Sequence, residues 1–258
     1  MERWIERTDL ATIADFRNEY QQDMACQVIH DSLHSRPGWT VEYAMRLGDT
    51  TVGYGSIAIA GPWADSPVAY EFYLTAPARV YAFEFFEALL GASGVRSIEM
   101  QSNDALGTAM LFAFADSVRS ESILFEDGLT TNWRPNGAVF RHPTVEEEPA
   151  LTSETRRWRG VIESDGVVAA TGGVLFHYNP PYGDVYMDVE EEYRRRGFGS
   201  FMVQELKRLC REDGRIPGAR CNIANIASRH TLQKAGFVPC GHLLRGERLD
   251  SRGERGAP

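Results

Sequence analysis

The clearest pattern along the chain runs from residue 184 to residue 214. Phe198, Phe201, Met202, Leu206 and Leu209 recur at three- and four-residue spacing. That spacing predicts a helix with one apolar face, leaving Gln204, Glu205, Lys207 and Arg208 to face water. Gly214 supplies a natural stop. Before the helix, Asp184 to Val189 alternates between side-chain types and predicts a strand, with Asp184, Tyr186 and Asp188 sharing one face. An arginine- and glycine-rich turn, Arg194 to Gly199, joins the two.

The rest of the chain falls into two similar halves. The first half predicts a strand at Trp4 to Arg7 and a helix initiated by Asp9 with Ile13, Phe16 and Tyr20 on one face. A hairpin follows, Val41 to Leu47 with Thr51 to Ala60, turned at Gly48-Asp49-Thr50. Then come a strand at Ala69 to Leu74, a helix at Val80 to Leu90 and a strand at Ser97 to Gln101. A helix at Ala105 to Phe114 and a strand at Ser122 to Phe125 complete it. The second half repeats the order: a hairpin of Trp158 to Glu163 and Val167 to His177, the strand and helix above, a strand at Arg220 to Ile223, and a helix ending before Gly236. Glu146-Glu147-Glu148-Pro149 marks a linker at residues 143–153, dividing the chain into domains 1–142 and 143–258. The expected class is α+β, each domain a mixed, mostly antiparallel sheet flanked by helices. No apolar periodicity continues beyond Leu244, so a frayed tail is expected there.

Composition narrows the function. Hydrophobic residues make up 43% of the 258 residues and aromatics 11%, enough for a packed core. The formal charge of −9 disfavours nucleic acid and anionic membrane as partners and points to a cationic or neutral substrate. Cys26, Cys210, Cys221 and Cys240 form no Cys-x-x-Cys pair and no metal-spaced cluster, so no metal is expected. With no signal peptide and no run of ~20 apolar residues, the expected location is cytoplasmic.

The turn carries the chemistry. Without Cβ atoms, Gly197 and Gly199 let backbone N–H groups approach a ligand, and the helix behind adds unpaired donors and partial positive charge. A pyrophosphate is the natural guest. Downstream, Cys221-Asn-Ile-Ala-Asn-Ile-Ala-Ser228 leads into a short helix closed by Lys234-Ala-Gly-Phe237.

Together the two segments resemble the GNAT superfamily of N-acetyltransferases. Arg194, Gly197 and Gly199 match its Gln/Arg-x-x-Gly-x-Gly/Ala signature, and the downstream segment matches its Asn-x-Ala-Ser and Lys-x-Gly-Phe landmark. The resemblance implies an acetyl-CoA site with Arg194, Arg195, Arg196, Gly197, Phe198, Gly199 and Ser200 on the phosphates. Val189 would offer backbone to the pantetheine arm, with Asn225 and Ser228 alongside. Structural readings stand beside each: a solvated arginine run, a helix cap at Asn225 and Ser228, a C-cap and core anchor at Gly236-Phe237. The first half would be a GNAT-like domain with a degenerate loop, since Thr75-Ala-Pro-Ala-Arg-Val80 carries a proline and no Gly-x-Gly. It would supply a wall of the acceptor pocket, with Tyr70, Phe72 and Trp63 as lining candidates.

The implied reaction is acetyl-CoA-dependent N-acetylation of a primary amine on a small molecule. The alternatives are a non-catalytic acyl-CoA-binding or regulatory module and a protein N-acetyltransferase. Asp188 is the candidate base, a carboxylate inside an otherwise apolar strand. Asp184, His177 and Glu190 to Glu192 are weaker candidates. The family's thiolate-protonating tyrosine is replaced by Leu232, with Tyr178, Tyr182, Tyr186 and Tyr193 as unranked substitutes. Cys221 suits a packed thiol better than a nucleophile. For assembly, a homodimer is the expected form beyond the monomer.

Overall fold

The computed structural model describes residues 2–24, 30–147 and 156–249, which group into two compact units. One comprises residues 1–26, 33–121 and 242–258, the other residues 27–32 and 122–241. Each has a mixed sheet flanked by helices, as the sequence predicts.

The first unit contains β1 (Arg3–Thr8), α1 (Ala14–Met24), the end of α2 (His30–His34), β2 (Thr40–Leu47), β3 (Thr50–Ala58), β4 (Val68–Leu74), α3 (Ala82–Ser93), β5 (Ser97–Gln101) and α4 (Ala105–Phe114). It also holds the first half of β6 (Ala115–Asp127) and the second half of β12 (Phe237–Arg248). Its strand order is β1-β2-β3-β4-β5-β12-β6. All of these neighbours whose registers are described are antiparallel except β4 and β5, which run parallel at Val68↔Ser97 and Ala69↔Ile98. Phe72, Phe85, Phe86, Leu89 and Met110 form the core between sheet and helices.

The second unit contains β7 (Ala138–Arg141), β8 (Arg156–Ser164), β9 (Val167–Leu175), β10 (Tyr182–Val189), α5 (Phe198–Glu212), β11 (Ile216–Asn222) and α6 (Ile226–Lys234), with the remaining halves of β6 and β12. Its order, β12-β6-β11-β10-β9-β8-β7, repeats the first unit's plan. In each, the fifth strand runs parallel to the fourth and is followed by a strand drawn from the other half of the sequence: β12 beside β5, β6 beside β11. The apolar stripe of α5 packs on one face of this sheet, with Phe198, Phe201, Met202 and Leu206 against Ile162, Ala170, Val174 and Val185.

Three expectations change. Lys207 does not face water: it is 1% exposed. Its ammonium donates to the Leu129 and Ala235 carbonyls, both at 2.8 Å, and pairs with Asp127 at 2.8 Å. Position 207 follows Val203 by one turn, so it lies at the edge of the buried stripe, where two loop carbonyls need a donor. Burial pushes its pKa down, with Asp127 opposing. Second, the chain does not fray at Leu244, because β12 continues to Arg248 in register with β5, Leu244↔Met100 to Glu247↔Ser97. Ladder hydrogen bonds need backbone alone, so side-chain periodicity gives no sign of them. Third, Tyr70, Phe72 and Trp63 are buried within the first unit at 2%, 0% and 8% exposure.

Tyr70 belongs to a buried polar cluster. His34 Nδ1 lies 3.0 Å from Glu42 Oε1, its Nε2 lies 2.8 Å from Glu71 Oε2, and Tyr70 Oη is 2.9 Å from Nε2. A carboxylate at each ring nitrogen favours the protonated ring, in which both nitrogens donate. Burial lowers the His34 pKa, but the Glu71 charge and the two glutamate hydrogen bonds outweigh it, and the net shift is upward.

Two outcomes are expected. A fragment of residues 143–258 lacks the β6 segment that pairs with β11 from Ser122↔Asn222 to Glu126↔Gly218, as well as Leu129. It should be insoluble or unfolded by far-UV circular dichroism. A soluble, folded fragment would contradict the exchanged-strand assignment. The second outcome concerns pH. Because His34 has a raised pKa, its contribution is fully present below the unfolded value of 6.5 and fades as pH rises through the folded value. Melting temperatures between pH 6 and 9 should therefore fall more steeply for the wild type than for His34→Gln. Parallel curves would disprove the coupling.

Candidate functional site

At the end of β10 the chain makes a 3-10 turn, Glu191–Tyr193, and enters the arginine–glycine loop. Arg195 and Gly197 both take left-handed backbone, φ 60° and 91°. Gly197 is the N-cap of α5 and offers no side-chain cap. The first N–H groups of α5 therefore keep their donors free of side-chain acceptors, the arrangement that receives an anion. A Cβ on Gly197 would stand 2.5 Å from Trp133 Nε1, so glycine is required by both φ and space. At Gly199 a Cβ would meet Thr231 at 3.1 Å and Val189 at 3.2 Å.

The loop's side chains divide by role. Arg194, Arg195 and Arg196 are exposed. Arg194 donates to the Val189 carbonyl at 3.0 Å, and the Arg196 guanidinium lies over Tyr193 and Phe198, 5.1 and 5.3 Å from the ring centres. Phe198 is buried in the core, leaving only its backbone for a ligand. Ser200 Oγ donates to the Thr231 carbonyl at 3.2 Å, tying α5 to α6.

A cleft leads inward from this loop. β10 and β11 pair only at Tyr182↔Ile216, Gly183↔Pro217 and Asp184↔Gly218, and then part. From Val185 to Val189, β10 keeps its ladder with β9 but has no strand partner on the other side. Its backbone groups there face an open edge.

On the sheet face away from α5 lie the titratable candidates. Asp188 is exposed, and its Oδ1 accepts from the Val189 N–H at 2.9 Å. A carboxylate in this strand thus has a simpler account than an apolar setting, since its face is open at the strand end. Asp184, at the closed end of the cleft, is 8% exposed and accepts from His177 Nε2 at 2.7 Å. The structure joins these two weaker candidates into a pair. Tyr178 is buried, its pKa well raised by burial and then by the Asp184 charge, which makes it a poor acid. Tyr193 packs edge-on against Phe198 at 5.3 Å. Tyr186 shares the face of Asp184 and Asp188, as strand parity requires.

The downstream landmark has structural work. Asn225 Oδ1 caps α6 by accepting from the Ser228 N–H at 2.9 Å. Gly236, at φ 87°, accepts on its carbonyl from the N–H groups of Gly128 and Leu129, and a Cβ there would stand 2.0 Å from the Leu129 carbonyl oxygen. Leu232, in the place of the family's tyrosine, is buried at 3%. Cys221 is a buried core thiol whose pKa is pushed up by burial. Sequence reasoning missed Trp133 and its contact with Lys234: the Trp133 ring lies beside Gly197, and the Lys234 ammonium sits 4.0 Å over that ring. Residue 133 lies in an aperiodic stretch, so only tertiary packing brings it to the loop. No group of three or more metal-ligating side chains occurs among the described residues, and none of their helices is long and apolar enough to cross a membrane.

Residues 125–237 match the family model described as Acetyltransferase (GNAT) family. Among solved structures, a GNAT-family acetyltransferase from Colwellia psychrerythraea superposes with a TM-score of 0.75 at 13% identity, covering 95% of this chain and 99% of that one. A tandem GNAT protein from the clavulanic acid biosynthesis pathway gives 0.58 at 15% identity, with 97% and 100% covered. A GCN5-related N-acetyltransferase from Sphaerobacter thermophilus gives 0.59 at 12%, with 96% of each chain covered. These likenesses show the fold. No curated protein matches the chain.

The loop geometry has a direct test. Gly197→Ala should destabilise the protein by about 1–2 kcal/mol from the left-handed backbone alone. It should also displace Trp133 and shift tryptophan emission. Unchanged melting and emission would show that the loop tolerates a Cβ.

Proposed function

We propose that this chain, whose residues 125–237 match the GNAT acetyltransferase family model, transfers the acetyl group of acetyl-CoA to a primary amine of a small molecule. The observation that carries the reading is the continuity of two features: the α5 N-terminus without a side-chain cap, and the parting of β10 from β11 directly upstream. A pyrophosphate fits the first. An extended amide-bearing arm fits the second, because β10 from Val185 to Val189 can pair with it as a strand would.

Acetyl-CoA supplies an activated thioester when bound. In this reading Gly197, Phe198, Gly199 and Ser200 give backbone N–H groups to the diphosphate, and Arg194, Arg195 and Arg196 add charge. The loop's own packing holds both glycines, since a Cβ at either would crowd a protein neighbour. Asn225 and Ser228 hold the adjoining α6 terminus. Along the open edge, Val189 and its upstream neighbours fix the acyl end near the titratable face, where an N–H can stabilise a developing oxyanion.

Proton removal falls to a carboxylate on that face. Asp188 is open to an incoming ammonium. The His177–Asp184 pair is a second reading, favoured by its 2.7 Å contact at the closed end of the cleft. In the first unit, a 3-10 turn at Ala76–Tyr81 with Pro77 in its first turn replaces the glycine loop, so one acetyl-CoA per chain is the expected stoichiometry.

Isothermal titration with acetyl-CoA should give one site, abolished by Gly197→Trp and untouched by Pro77→Gly. Two equivalent sites would overturn the assignment. With an amine acceptor, Asp188→Asn should lower turnover by roughly 10²–10⁴-fold at nearly constant cofactor affinity. A full-rate Asp188→Asn with a slow His177→Gln would transfer the role to the pair. Tight binding with no acceptor turned over would favour an acyl-CoA-binding module.

A further inference from the structure

A cavity of about 220 Å³ lies in the second unit, lined by Arg159, Gly160, Val161, Val168 and Thr171 from β8 and β9 together with Pro143 and Glu147. Strand register fixes its relation to the proposed chemistry. Asp188 pairs with Thr171, which pairs with Val161. Tyr186 pairs with Gly173, which pairs with Arg159. Directly paired residues share a face, so Arg159, Val161, Thr171, Tyr186 and Asp188 all project from the face opposite α5. Gly173, between Tyr186 and Arg159, leaves the space between them clear of any side chain.

Arg159 is half-buried, and its Nη1 is shielded from solvent with no hydrogen-bond partner. A buried guanidinium nitrogen without an acceptor is unusual and calls for one. Glu147, the other charged residue in the lining, is not available: its carboxylate accepts from Arg141 Nη1 and Nη2 at 2.7 and 2.8 Å and from the Thr144 N–H at 2.8 Å. Those contacts pull its pKa to about 2, the Arg141 hydrogen bonds contributing most, and it stays ionised and occupied. Among the described residues of the lining, Arg159 is therefore the group that offers an unused charge.

We propose that this cavity holds an oxyanion carried by the acceptor itself, so that the substrate is an amine bearing a carboxylate or phosphate a few atoms from its nitrogen. The inference rests on the acetyl-transfer reading above and names its substrate class. Arg159, which lines the cavity, receives the oxyanion through its guanidinium. Val161 and the Thr171 side chain line the span between, and the amine lies toward Tyr186 and Asp188. Arg159 and Tyr186 are two strand spacings apart, about 10 Å between Cα atoms.

The test compares glycine, β-alanine, γ-aminobutyrate, ε-aminocaproate and O-phosphoethanolamine with unsubstituted amines of matched length. The wild type should favour the oxyanion-bearing member of a matched pair by about 10- to 100-fold in kcat/KM, the range expected for one charge-assisted hydrogen bond. The best chain length reads the span, and the phosphate arm separates carboxylate from phosphate. Arg159→Gln should bring the ratio close to one, mainly through KM, and Arg159→Lys should retain part of it. No preference in the wild type, or a preference that survives Arg159→Gln, overturns the inference while leaving acetyl transfer standing. If no amine is acetylated, thermal shift with the same compounds decides the site alone. Stabilisation by the oxyanion-bearing members that disappears in Arg159→Gln supports it, and no stabilisation overturns it.

Discussion

The second unit depends on a strand pair that stops early. Hydrogen bonding between β10 and β11 lasts three residues and ends at Asp184↔Gly218. A parallel pair that continued to Val189 would close the sheet and leave no edge for a ligand. Because it parts, five residues of β10 keep one side without a strand partner, and such backbone calls for another partner. The start of α5 lies beside this edge and against α6: a Cβ at Gly199 would meet Val189 at 3.2 Å and Thr231 at 3.1 Å. The helix terminus behind Gly197, without a side-chain cap, stands next to this open edge, and the proposed reading uses the two together. β6 pairs with β11 from Asn222 to Gly218 on its far side and keeps that strand in place while it diverges.

The first unit shows that the parting alone does not make a site. There β4 and β5 also pair briefly, at Val68↔Ser97 and Ala69↔Ile98, and then diverge. Yet every residue of β4 is buried, and its polar members are committed within the unit. Glu71 is held by His34, and Tyr73 donates to Glu19 at 2.9 Å. The turn after β4 carries Pro77 in its first turn, which removes a donor where the second unit presents glycine N–H groups. The strand order is repeated, while the glycine turn occurs in the second unit and a proline turn in the first.

Most of this was legible in the sequence because it rests on local signals. Helix α5, the β8–β9 hairpin and the Arg194–Gly199 turn follow from periodicity and glycine placement within a dozen residues. Long-range features were not legible. Lys207 belongs by spacing alone to either face of α5, and only the carbonyls of Leu129 and Ala235, far away in sequence, decide that it is buried. The pairing of β12 with β5 spans residues 97 to 248 and uses backbone atoms that every sequence supplies. α2 and β7, of five and four residues, are too short to show a period. Within the site, the contact between His177 and Asp184 follows from the turn between their strands, which brings them to 2.7 Å. Spacing in the sequence could only rank them separately.

Net charge illustrates how far a global quantity reaches. A formal charge of −9 sets the long-range field and favours approach by cations. That field decays over a Debye length of about 8 Å at physiological ionic strength, whereas a buried pair is screened far less. Selectivity inside the cavity is therefore governed by the few groups that line it. Glu147 is neutralised by Arg141, and Arg159 keeps an unsatisfied donor against an apolar wall. Local desolvation makes that single donor outweigh a surface excess of carboxylates, most of which stay in water. The proposed substrate, an amine bearing its own carboxylate, meets both conditions: its ammonium is drawn by the acidic surface, and its oxyanion is met by Arg159.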